Sequence, residues 1–147
     1  MSEQLQVEAL QILEVAASDL MREFEVKVPP IPVESILQKP QAGMWEEINI
    51  NQLTGSFLSI KDQYSPRMSM ARLLAKHVIN CPWGKARDLS ALVKSEDDLR
   101  TFARMLIMPR EMVMTMTTGA RNPVVMSMNF EVPEEDAQKR LMQIAVL

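Results

Sequence analysis

The sequence predicts an α+β fold, helices packed around a small β-sheet, in a single domain spanning residues 1–147. Three observations predict it. Apolar residues recur at spacings of three and four over 4–25 and again after Ser95, the mark of helices with one buried face. Two stretches between them, "GMWEEINI" and "TGSFLSIKD", alternate instead, as half-buried strands do. The length and a hydrophobic fraction of 47% allow one substantial core.

The elements follow in order. Leu5, Ala9, Ile12, Val15, Ala16, Leu20 and Phe24 form the apolar stripe of an N-terminal helix that ends near residue 26. "VPPIP" at 28–32 stops it, because a proline disfavours helix at the residue before it. "VESILQKP", 33–40, is a short second helix closed by Pro40. The two alternating stretches, 43–50 and 54–62, supply the sheet. "SPRMSMARLLAKHVINC" is a helix running from Ser65 to about Cys81, and "PWGK" breaks it. "SEDDLRTFARMLIM" is a helix with Ser95 as N-cap and Asp98 three residues on, a capping box with aspartate in place of Glu or Gln. Glu96, Asp97 and Asp98 suit the positive end of its dipole. Leu99, Phe102, Ala103 and Leu106 are its apolar stripe, and Pro109 stops it. "NPVVMSMNF" and "PEEDAQKRLMQI" are two short helices, the second opened by Pro133 and three acids. The plan is thus an N-terminal helix, a core over about 33–109 and a C-terminal helical segment over about 123–147.

The formal charge is −3, so no global basic field draws the chain to nucleic acid. Residues 61–88 nevertheless hold six basic residues, Lys61, Arg67, Arg72, Lys76, Lys85 and Arg87, against Asp62 and Asp88. The middle of the chain is a cationic island. Thirteen methionines point to an adaptable core or binding surface. One cysteine cannot close an internal disulfide, which suits a reducing compartment. The N-terminus lacks the basic n-region of a signal peptide. No apolar run approaches the ~18 residues of a membrane span. The expectation is a cytoplasmic protein without a membrane partner.

"MARLLAKHVINC", Met70 to Cys81, contains the lone histidine and the lone cysteine, four residues apart. That spacing suits two metal ligands on one helix face. On a wheel of about 100° per residue, however, Leu73, Met70, Cys81 and Leu74 lie within about 60° of His77. Arg72, Lys76, Ser69 and Asn80 form the polar arc. The wheel places His77 and Cys81 in the core and points Arg72 and Lys76 outward. No phosphate-binding loop motif occurs. A Cys–His nucleophile pair would need an exposed thiol. Glu134, Glu135 and Asp136 open the last helix with the wrong charge for DNA phosphates, so direct nucleic-acid binding is not expected.

Several segments together resemble the ImmA/IrrE-type zinc metallopeptidase family. "FARMLIMPREMV", Phe102 to Val113, is similar to that family's FA-x-x-LLMP helix and its exit. "MNFEVPEEDAQKRLMQI" is similar to its closing F-x-V-S segment and following RL helix. "SPRMSMARLLAKHVI" stands where the family has R-x-x-x-AHE-x-x-H. The resemblance implies a zincin-like core and a zinc endopeptidase that acts on helix-turn-helix repressors in stress response and transcription regulation. The chain departs from the pattern at the chemistry. Arg72 and Lys76 stand at the two histidines and Leu73 at the glutamate. Arginine offers no lone pair, lysine would first have to lose its proton, and leucine is no base. Asp98, with Asp97 second, matches the third ligand and could instead face the Arg72–Lys76 pair. The implied protein is a catalytically inactive relative with no cofactor, binding a protein partner such as a repressor through Arg72, Lys76 and Asp98. The first alternative is an active metallopeptidase with zinc on His77, Cys81 and Asp98. The second is a structural or dimerisation module, a homodimer included.

Overall fold

In a computed structural model of the protein, residues 3–48 and 64–147 are described, residues 3–5 by backbone alone. The described chain runs α1 (Glu3–Glu23), α2 (Val33–Gln38), α3 (Ser65–Asn80), α4 (Pro82–Lys85), α5 (Leu89–Leu92), α6 (Glu96–Ile107), α7 (Arg110–Thr115), a 3-10 turn (Thr118–Ala120), α8 (Pro123–Phe130) and α9 (Glu134–Val146). Helix α3 is packed most extensively against α6, α8 against α9, and α1 against α6. The core lies among α1, α3 and α6, with Leu20, Leu74, Phe102 and Leu106 all buried.

The expected α+β class does not hold. No strand occurs among the described residues, so they contain no sheet and no zincin-like core. The first expected strand is described as far as Ile48, and those residues form turn and loop. Trp45 explains why its alternation misled. The ring is buried and stacks on Phe24 at 6.3 Å between centroids. Its indole N–H donates to Leu37 O at 3.1 Å. One inserted aromatic produced a period of two without a strand partner. The second expected strand, 54–62, lies outside the described residues.

Helix α1 forms, but rotated from its expected face. Leu13, Ala16, Ala17, Leu20 and Met21 are buried, whereas Ile12 and Val15 are 47% and 60% exposed. A competing stripe was present in the sequence: Leu10, Leu13, Ala17, Leu20 and Phe24 repeat at three and four equally well. A buried carboxylate, Glu14, selects this second phase. The helix also ends before the prolines act. The N–H groups of Val26 and Glu25 donate to Met21 O and Arg22 O at 2.9 and 3.1 Å. Glu25 sits at φ 56°. That is a Schellman closure with glutamate at the left-handed position glycine prefers.

Helices α3, α6, α8 and α9 lie where the sequence placed them, because their end signals are local. Asn122 caps α8, accepting from Val125 N at 3.0 Å. "PWGK" ends α3 and also makes one turn of its own, α4, folded back on the end of α3. A Cβ built on Gly84 would stand 1.9 Å from Val78 O. Only glycine permits that approach. Helix α7 was not expected. Pro109 stops α6 and then serves as the N-cap position of the next helix.

Candidate functional site

The side of α3 that carries Arg72 and Lys76 is the candidate site. The buried side of this helix holds Met68, Ala71, Leu74, Ala75, Val78 and Ile79. Its centre lies about 120° from His77 on the wheel. The cationic pair therefore stays outside the core. Lys76 is exposed and Arg72 half-exposed. Arg72 Nη2 lies 3.8 Å from Oε2 of Glu96, the first residue of α6. Glu96 is itself highly exposed, so this pair is weak. The carboxylate within reach of Arg72 is thus Glu96, where the sequence suggested Asp98 or Asp97.

Asp98 has another partner. Its N–H donates to Ser95 Oγ at 3.1 Å, and its Oδ2 accepts the N–H of Lys94 at 3.0 Å. The capping box forms, with its reciprocal arm on the residue before the cap. Leu73 is half-buried and packs against the core. His77 lies at the margin of the apolar face, half-buried. Burial, and then the neighbouring Lys76 charge, hold its imidazole below the usual histidine range. Cys81 is buried, and its thiol donates to Val78 O at 3.2 Å. Among the described residues no group of three or more His, Cys, Asp or Glu side chains gathers as metal ligands would, His77, Cys81 and Asp98 included.

The cationic island does not form one surface. Arg67 is largely buried and donates to Ile31 O at 2.9 Å and Glu131 O at 3.2 Å, tying the α2 and α8 ends to α3. Arg87 stacks over Trp83 at 3.7 Å from the ring centroid. Of the island's described members, Lys76 and Lys85 are exposed, and Arg72 and Arg87 half-exposed.

No family model matches the chain. No curated protein and no solved structure matches it either. Among the described residues, no helix is long and apolar enough to cross a membrane.

Sequence reasoning missed the buried polar system altogether. In the sequence Asp136 is one of three acids that open the last helix. It is fully buried, taking Arg100 Nε and Nη2 at 3.0 and 2.9 Å and Arg104 Nε at 2.8 Å. Burial alone would raise its pKa. The hydrogen bonds from Arg100 and Arg104 outweigh that and hold the carboxyl below its usual range. Arg140 is fully buried against Glu14. The one legible signal was spacing: Asp136 and Arg140 lie four apart on the face of α9 that also carries the buried Ala137. These groups join α1, α6 and α9. They hold the scaffold together.

Proposed function

We propose that this protein is a non-catalytic binding protein that meets an acidic segment of a protein partner through Arg72 and Lys76 on α3. A helix-turn-helix repressor is the leading candidate partner. The partner class rests on the sequence resemblance, from which the zincin-like fold has been removed. One observation carries the reading. Where the resembled family needs two metal ligands and a base, this chain has Arg72, Leu73 and Lys76. Both cations lie at the surface, and among the described residues Arg72 has a weak contact with the Glu96 carboxylate of α6. An incoming carboxylate could displace Glu96 from Arg72 at little cost, because exposed pairs contribute only ~0–1 kcal/mol. Arginine can also grip a carboxylate or phosphate through two parallel bonds.

The test is calorimetric titration of the purified protein with a panel of purified helix-turn-helix repressors, each reaction followed on gels for cleavage. The expected result is binding without cleavage. Replacing both cations (R72A with K76A) should weaken it by at least ~10-fold, about 1.4 kcal/mol, with unchanged melting. Cleavage of a bound repressor, or about one equivalent of zinc held by the purified protein, would overturn the reading in favour of a metallopeptidase.

A further inference from the structure

A cavity lies where the end of α1 meets α7, and two corners of the chain form it. The closure after α1 turns the chain at Glu25, and Glu25, Val26 and Lys27 line one side. Pro109, between α6 and α7, and Met112 of α7 line the other. The volume is about 360 Å³, at the small end of the ~300–1,000 Å³ range of small-molecule sites. The buried lining residues, Met21, Pro109 and Met112, are all apolar. The charged ones, Arg22, Glu25, Lys27 and Glu111, are all exposed and so stand at the mouth.

We propose that this cavity binds a free α-amino acid with a large apolar side chain. The charges at the mouth select the head of the ligand. Arg22 is already occupied, by Asp19 at 2.6 Å and by Glu111 at 2.8 Å. Among the described residues, neither Glu25 nor Lys27 has an ion pair or a side-chain hydrogen bond. One acid and one cation, two residues apart, are therefore open to a ligand. The four charges at the mouth cancel, so neither a polyanion nor a polycation is drawn in. A zwitterion answers both open groups, its ammonium on Glu25 and its carboxylate on Lys27. The tail then lies on Met21, Pro109 and Met112. Methionine side chains adapt to either an aliphatic or an aromatic tail, and a thioether also suits an aromatic ring. The small volume fits a ligand of this size.

The experiment is calorimetric titration of the full chain with L-leucine, L-methionine and L-phenylalanine. At least one should bind with a dissociation constant of ~10 µM to ~1 mM, the range of a ligand with about ten heavy atoms. Glycine, which lacks the tail, should not bind. The N-acetyl and amide forms of the amino acid that binds lack the ammonium and the carboxylate. Each should bind at least ~5-fold more weakly, for want of one charge-assisted hydrogen bond. Lys27→Ala and Glu25→Gln should each weaken the amino acid by a similar factor with unchanged melting, since both side chains are exposed. In Lys27→Ala the amide should bind as well as the amino acid. No binding of any of the three at ~10 mM overturns the proposal. So does an N-acetyl or amide form that matches the amino acid on the wild type, or glycine that binds as tightly. An affinity unchanged in both variants seats the ligand elsewhere and overturns it too.

Discussion

Arg140 of α9 and Glu14 of α1 meet through two parallel hydrogen bonds, Nη2 to Oε1 at 2.6 Å and Nη1 to Oε2 at 2.5 Å, although 126 residues separate them. Both side chains are buried. The guanidinium is further occupied by Met108 O at 2.9 Å and Gln143 Oε1 at 2.6 Å. The end of the chain is therefore fastened to its beginning and to the exit of α6 by one side chain. Removing one partner strands a buried charge. Glu14→Ala should cost about 3–5 kcal/mol, measured by urea denaturation. The joint replacement Glu14→Leu with Arg140→Met should cost clearly less than the two single changes added together.

Asp136 sets an acid limit on stability. Its folded pKa is depressed, so the unfolded state binds the proton more readily. The stabilisation is present in full above the ordinary carboxylate pKa of about 4 and is lost as pH falls through the lower folded value. His77 adds a milder effect higher up. Its folded pKa is also lowered, so stability should begin to fall as pH drops below about 6.5. Thermal melting against pH should show both steps in the wild type. Asp136→Asn should flatten the acid step, and His77→Gln the upper one.

The close approach of α4 to α3 gives a steric test. Gly84→Ala places a methyl group against a backbone oxygen of Val78 that belongs to a helix and cannot swing away. The expected loss is about 2 kcal/mol or more. A melting temperature unchanged by this substitution would show that the α3–α4 corner can relax.

The role of Asp98 is separable from metal binding by a substitution series. As a cap partner it should cost about 1 kcal/mol on replacement by alanine, and Ser95→Ala should cost a similar amount. The two changes break different bonds, Ser95→Ala the one its Oγ accepts from the Asp98 N–H and Asp98→Ala the one its Oδ2 accepts from the Lys94 N–H, so each should show a loss of its own and the double variant should lose more than either. Guanidinium denaturation of the two single variants and the double variant measures this.

What the sequence determined by itself were the helices whose ends are chemically marked. Ser95 and Asp98 start α6, Asn122 starts α8, Pro133 starts α9, and Cys81 with Pro82 ends α3. Such signals act within three or four residues of chain, so they survive without knowledge of the rest. The tertiary structure decided everything that rests on distant partners. It turned the alternation around Trp45 into a loop held against Phe24 and Leu37. It rotated α1 so that Glu14 faces inward and Ile12 and Val15 face out. It buried Asp136 and Arg140, which local reading leaves at the surface. The physical reason is the same in each case. A carboxylate or an indole goes inside only when a matching group arrives from far along the chain to offset its desolvation.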